Sequence, residues 1–347
     1  MYFFHNDYNE NCHPEVMARM LQFQSVQMQS YGTDTCCEAA AKKIKELCGN
    51  NNLAVHFLVG GTQTNLTVIA AALRPHQAVL AAESGHINVH ETGSIEATGH
   101  KVVGLPSSDG KITAQQVEQA AKAQLADDSA EHVAQLKLVY ISDSTELGTI
   151  YTLEELSAIS AVCKRYGLYL FVDGARLSYA LTASDNDITL PDLARLCDVF
   201  YIGGTKCGAM FGEAVVIANP AIAEDFRYLI KQRGGMLAKG WLLGLQFEAL
   251  FENDLYFAVA KKANVLADQL RQTLENLGYP MLVPTTTNQI FPILPNTLLD
   301  KLGVDFTYNQ QAIVDESHRA VRFCTSWATT DEAVNALCSA LKAYTNK

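Results

Sequence analysis

The chain has 347 residues, with 26 basic against 37 acidic side chains and a net charge of −11, which counts against nucleic acid or an anionic membrane surface as the main partner. A hydrophobic content of 48% is ample for a sizeable core and suits one large and one smaller domain. Nine scattered cysteines without a C-x-x-C pair indicate neither a disulfide framework nor a zinc site and fit a reducing cytoplasm; no basic segment leads into an apolar core at the N-terminus, and no apolar run is long enough to span a bilayer.

In chain order, an arm precedes His13-Pro14-Glu15, which predicts a helix start with Val16, Met17, Met20 and Leu21 on one face. A turn at Gly32 leads into a helix carrying Ala40, Ile44, Leu47 and Cys48, closed by Gly49. A strand over Ala54–Val59 runs into Gly60-Gly61-Thr62-Gln63-Thr64-Asn65 and an apolar helix over Leu66–Leu73. A glycine turn between strand and helix start is either an anion cradle, with N–H groups at a positive dipole end, or a simple cap. Val79–Ala82 and Lys101–Leu105 read as further strands. Between them His86 and His90 would share a helix face; Glu91 and Glu96 are not at H-E-x-x-H spacing, so no metal is expected, and a histidine stacking on a planar group or capping a helix stays open.

Thr113–Gln116 forms a capping box for a helix to about Leu125. From Lys137 the βα alternation is explicit: a strand over Leu138–Ser142, a helix capped at Thr152–Glu155 and ended by Gly167, and a strand over Leu168–Val172 ending on Asp173-Gly174-Ala175-Arg176. Such a crossover implies a mostly parallel sheet whose functional edge lies at the strands' C-terminal ends. Asp173 at such an end is costly unless paired, with Arg176 one candidate partner, or else it caps the next helix. Val199–Ile202 and Ala214–Ala218 are strands flanking a turn with Lys206, which Gly208, Ala209 and Gly212 crowd; that lysine is either solvated or has a covalent task.

The last third begins with a helix over Ala221–Ile230 and a break at Gly234-Gly235. Trp241–Phe251 is apolar nearly all round, and Val259, Ala263, Leu266, Leu270 and Leu277 mark a long amphipathic helix. Strands over Met281–Val283, Gln289–Leu294 and Ala320–Thr325 follow, then a closing helix with Thr329 and Glu332 in capping positions. The expected organisation is α/β: an arm and helix over 1–30, a large domain over 31–245 with a mostly parallel sheet flanked by helices, and a small α+β domain over 246–347.

Lysine on a loop can form a Schiff base, aspartate at a strand end can hold a protonated ring nitrogen, and a glycine turn at a helix start can hold a phosphate. Pyridoxal phosphate asks for these three. Their order, with His86 between and Arg322 late, resembles the aspartate-aminotransferase superfamily, fold type I. More closely, nearly the whole chain resembles the low-specificity L-threonine aldolase family within the β-eliminating lyase group. The residues carrying the likeness are Asn6-Asp7, Tyr31-Gly32 with Asp34, Gly61-Thr62-Gln63 with Asn65, His86, Asp173-Gly174-Ala175-Arg176, Lys206 and Val321-Arg322.

The resemblance implies a pyridoxal-phosphate enzyme that cleaves L-threonine, L-allo-threonine and other β-hydroxy-α-amino acids to glycine and an aldehyde. It makes Lys206 the Schiff-base lysine, Asp173 the ring-nitrogen partner, His86 a stacking residue, and Gly61 and Thr62 phosphate ligands. Arg176, beside the cofactor, holds the substrate carboxylate together with Arg322, and Tyr31 reaches a neighbouring subunit's site in a dimer of dimers. The chain departs from the pattern in having Asn6 where serine is usual at a substrate-carboxylate or phosphate contact, Glu146 where a histidine follows threonine, and Lys239 in the segment where the family places a Met-Arg that binds the cofactor phosphate across the subunit boundary, a role the resemblance would pass to Lys239. His86, Glu146 or an ordered water is left as the base for the β-hydroxyl proton. Rival readings are a β-eliminating lyase or aminotransferase on the same scaffold, and a non-catalytic binding protein. A nicotinamide dehydrogenase would want a G-x-G-x-x-G that is missing after the first strand.

Overall fold

The computed structural model describes residues 1–345. Its strands are β1 (Tyr2–Phe3), β2 (Ala54–Leu58), β3 (Gln77–Ala82), β4 (Lys101–Leu105), β5 (Gln135–Ser142), β6 (Tyr169–Asp173), β7 (Val199–Gly203), β8 (Glu213–Ile217), β9 (Gln289–Ile290), β10 (Ile293–Pro295), β11 (Phe306–Thr307), β12 (Asn309–Ile313) and β13 (His318–Cys324). A seven-stranded sheet runs in the order β2-β8-β7-β6-β5-β3-β4. Its strands β3 to β7 are parallel, and β8 runs antiparallel between β7 and β2.

Every residue of β3, β7 and β8 is buried, as a sheet covered on both faces requires. Successive residues alternate between two apolar layers. Leu80, Val139, Leu170 and Phe200 enter one, and Val79, Leu138, Phe171 and Tyr201 enter the other. A third cluster lies under the smaller antiparallel sheet, in which β13 pairs with β10, β12 and β9.

The arm is stitched to that last part of the chain. β1 pairs in parallel with β11, Phe4 is buried in the third cluster, and the Phe4 carbonyl accepts from Cys324 N–H at 2.8 Å. A boundary at 245/246 would cut the helix Trp241–Phe251, whose Phe247, Leu250 and Phe251 belong to the large-sheet core. The next helix, Leu255–Asn276, carries Tyr256, Val259 and Ala263 into that same core but Leu266, Leu270 and Leu274 into the C-terminal cluster. We propose that the two units exchange within this helix, between Ala263 and Leu266.

Local expectations shift where backbone chemistry intervenes. Met281–Val283 forms no strand, only a bridge from Met281 to Pro292, because Pro280 and Pro284 flank it and neither has an amide donor. Gln289–Leu294 is two strands broken at Phe291-Pro292 for the same reason. The helix expected over Ala221–Ile230 splits into Pro220–Ala223 and Phe226–Gln232 around Asp225, which is left-handed at φ 57°. The last helix is capped by Thr330, whose hydroxyl accepts from Ala333 N–H at 3.2 Å; Thr329 instead accepts from Ser326 N–H. The helix after β2 begins at Gly61, not Leu66, so Thr62 and Asn65 lie in its opening turns.

Candidate active site

The C-terminal ends of β2, β3, β5, β6 and β7 surround a cleft of about 860 Å³. Its walls include Gly61, Thr62, His86, Glu146, Asp173, Arg176, Lys206 and Arg322. Residues spread over most of the sequence therefore meet at one place.

Asp173 closes β6 and is 4% exposed. Oδ1 accepts from the Tyr201 hydroxyl and Ala175 N–H, and Oδ2 from the Tyr140 hydroxyl and Asn65 Nδ2. Burial pushes its pKa up, but His86 and the bonds from Tyr140, Tyr201 and Ala175 outweigh that and hold the carboxyl below its ordinary value. Burial raises both phenols well above theirs, so they stay protonated donors. Arg176 is not the partner expected for Asp173. It is paired with Asp7, Nε to Oδ2 at 2.8 Å and Nη2 to Oδ1 at 3.0 Å, because the arm delivers Asp7 to that point. This grip uses one edge of the guanidinium and leaves the Nη1 edge for a second carboxylate.

Lys206 lies on the loop from β7 to β8, half-buried. Burial and the Arg176 charge lower its pKa below the usual lysine value, against the opposing pull of Asp7, Asp173 and Glu213. A lysine that holds its proton less tightly than usual is better suited to act as a nucleophile. Its loop is held by Glu213, which accepts from Thr205 Oγ1 at 2.9 Å and Gly204 N–H at 3.2 Å. Burial raises that carboxyl to about 8.

The helix Gly61–Ala72 opens beside these groups with Gly60 as its extended cap. A Cβ on Gly61 would stand 3.1 Å from the Tyr201 hydroxyl, so the glycine keeps this approach open. His86 Nδ1 is 2.7 Å from Glu91 Oε1, and its backbone N–H donates to Glu146 Oε1 at 3.0 Å. Glu146 also accepts from Ser142 Oγ at 2.6 Å, and burial raises its pKa. Arg322, on β13, donates from Nη2 to the His5 carbonyl and from Nη1 to Gln289.

Three expected site residues stand apart. Asn6 Oδ1 accepts from Tyr8 N–H, and it is Tyr8, not Asn6, that lines the cleft. Tyr31 and Lys239 lie outside the cleft wall, close to one another, where Tyr31 N–H donates to the Ala238 carbonyl at 3.1 Å. Sequence reasoning missed the roles of Asp7, Tyr140, Tyr201, Glu91 and Glu213. Asp7 alone carried a local signal, as the neighbour of Asn6 in the Asn6-Asp7 arm motif.

The chain matches the β-eliminating lyase family over residues 9–296. The chain belongs to the β-eliminating lyase family. A low-specificity L-threonine aldolase of Pseudomonas aeruginosa is 29% identical over 335 residues, 96% of this chain and 94% of that relative. A solved threonine aldolase from Leishmania major is 47% identical at a TM-score of 0.97, covering 99% of this chain and 100% of that one. A Thermus thermophilus aspartate aminotransferase, 14% identical with a TM-score of 0.73 over 100% of this chain and 91% of its own, shares the fold, fold type I.

The cleft fits pyridoxal phosphate on its own chemistry. Besides the lysine, the ionised aspartate and the helix start, several buried polar atoms on its walls have no partner among the described residues: Ser84 Oγ, Ser144 Oγ, Asn65 Oδ1 and Arg322 Nε. Unmatched polar atoms concentrated in one cleft mark a place built for a polar guest.

Proposed function

We propose that this protein cleaves L-threonine, L-allo-threonine and other β-hydroxy-α-amino acids to glycine and an aldehyde, as a pyridoxal-phosphate-dependent carbon–carbon lyase. The observation that carries the reading is the pairing, in one cleft, of a lysine with a lowered pKa and an aspartate kept ionised by four donors. Lys206 would hold the cofactor covalently, Asp173 its ring nitrogen, Gly61 and Thr62 its phosphate, with His86 against the ring. When bound, the cofactor supplies an electron sink for the pair released at Cα.

The free edge of Arg176 and the Arg322 guanidinium orient the substrate carboxylate, which fixes the direction of the Cα–Cβ bond. His86 takes the β-hydroxyl proton. Glu146, raised by burial and already accepting from Ser142 and His86 N–H, shapes the pocket beside it. Tyr31 and Lys239, exposed and adjacent, would cross to a neighbouring chain's cleft in a dimer of dimers, and the enzyme would work in the cytoplasm. Light scattering after size exclusion tests the assembly.

Aldehyde release from L-threonine and L-allo-threonine, measured side by side, tests the activity, with pyruvate and ammonia assayed in the same samples. Aldehyde and glycine in equal amounts are expected, with none from Lys206→Ala. Pyruvate and ammonia as the main products would make the enzyme a β-eliminating lyase instead.

A further inference from the structure

Glu91 has no part in the scheme above, yet its side chain is 0% exposed. Three donors converge on it: His86 Nδ1 and Asn65 Nδ2 on Oε1, and Ser94 Oγ on Oε2, each at 2.7 Å. The other hydrogen of Asn65 Nδ2 goes to Asp173 Oδ2 at 2.9 Å. Both acceptors are carboxylates, so turning the amide over would set its oxygen against two others. Asn65 is therefore a brace between Glu91 and Asp173. Because Glu91 already accepts from Asn65 and Ser94, the hydrogen between Glu91 and the imidazole sits on Nδ1, which leaves the lone pair of neutral His86 on Nε2.

We propose that Glu91 is a positioning residue, held by Asn65 and Ser94, that fixes His86 as the Nδ1–H tautomer so that Nε2 receives the β-hydroxyl proton. The other groups facing this imidazole are Glu146 at its backbone N–H, Asp173 across Asn65, and His90 with its ring centroid 5.6 Å away. In the step served, the substrate O–H bond breaks and an N–H bond forms at Nε2. The oxygen's electron pair becomes the aldehyde carbonyl as the Cα–Cβ bond breaks, the pair left at Cα takes up a proton from solvent to give glycine, and Nε2 returns its own proton to solvent. The role rests on the aldolase reading; the tautomer does not.

Imidazole ¹⁵N NMR of the histidine-labelled holoenzyme tests it, with His86 assigned by difference against His86→Gln. The expected spectrum has a protonated Nδ1 and an unprotonated Nε2 in the neutral ring. Glu91→Ala should lose that tautomer and lower kcat by about 10- to 100-fold with KM within about twofold, while Glu91→Asp restores part of both. Once His86 is assigned, the wild-type spectrum does not depend on Glu91→Ala folding: an Nε2–H tautomer there overturns the proposal, as does Glu91→Ala with tautomer and kcat unchanged. If the wild type releases no aldehyde, the aldolase reading falls, and the tautomer stands or falls on the spectrum alone.

Discussion

Replacing Asp7 by Asn tests the link between the arm and the cleft. Asp7 is 0% exposed and bonds to Arg176 twice and to Asn288 Nδ2 at 2.9 Å. The substitution keeps the shape but leaves Arg176, 9% exposed, without its counter-charge. Breaking one side of a buried ion pair costs about 3–5 kcal/mol. With an unfolding entropy of about 2.1 cal/mol/K per residue, a loss near 4 kcal/mol lowers Tm by roughly 5 °C for a chain of this length. The pH dependence has a definite sign. Burial alone would raise the Asp7 carboxyl, but Arg176, Lys206 and Asn288 bring it from 3.8 to about 2. A lowered pKa in the folded state means that the stability is present in full above the ordinary value and lost as pH falls toward the folded one. That gap is worth about 2 kcal/mol. Thermal unfolding of wild type and Asp7→Asn should therefore differ by about 5 °C at pH 7, and the difference should narrow by about 3 °C between about pH 4 and pH 2. A difference under about 1 °C at pH 7, or one that stays constant down to pH 2, would refute the reasoning.

Asp173→Asn replaces an acceptor of four donors with a group whose NH₂ must face a phenol or amide hydrogen, so kcat should fall about 100-fold or more; steady-state activity within threefold of wild type would remove Asp173 from the site. Gly174→Ala would set a Cβ 1.8 Å from the Tyr201 carbonyl oxygen and should leave no soluble enzyme, whereas Gly99→Ala, with φ +94° but nothing within 4 Å, should cost only about 1 kcal/mol in a denaturant titration. Burial raises Asp143 from 3.8 to about 7, and its Oδ1 has no partner among the described residues. The stability tied to its neutral form is full below about pH 4 and lost as pH rises through about 7. Asp143→Asn should thus raise Tm more at pH 8 than at pH 5, and an equal or reversed shift contradicts this.

The central sheet was legible because its strands are short apolar runs bounded by glycine, aspartate or capping boxes, and burial on both faces writes itself into composition. Lys206 and Asp173 were legible for a related reason: each is a charged residue set against an apolar strand that gives it no local partner. What could not be read are pairs distant in sequence. Asp7 and Arg176 are 169 positions apart, and Tyr140 and Tyr201 reach Asp173 only because β5 and β7 flank β6. Apolar pattern marked both tyrosines as core and hid their hydroxyls. Glu91, five residues after His86, belongs to no helical or metal-ligand spacing, since the helix His86–Val89 ends between them. β1, β11 and β12 lack an apolar run because they are two-residue pieces or an exposed edge, held by partners elsewhere.

The arm joins the two arginines across the fold. Within three residues, the His5 carbonyl accepts from Arg322 and the Asp7 carboxylate holds Arg176, although Arg322 lies on β13 of the small sheet and Arg176 just past the end of β6 in the large one. The stretch is anchored upstream by β1 on β11, by Phe4 in the C-terminal cluster, and by His5 Nδ1 to Thr307 Oγ1 at 2.8 Å. The spacing of the two guanidinium groups is therefore set by a strap whose anchor lies away from the cleft. Deleting residues 1–4 removes β1 and Phe4 from that anchor, leaving only the His5 contact, while Asp7, Lys206, Asp173 and Gly61 stay in the chain. The enzyme should keep its cofactor, seen as unchanged visible absorbance, while KM for L-threonine rises about tenfold, a loss near 1.4 kcal/mol in holding the carboxylate. An unchanged KM would mean that the arginines are positioned without the strap, and loss of the absorbance would place the arm's role in cofactor retention instead.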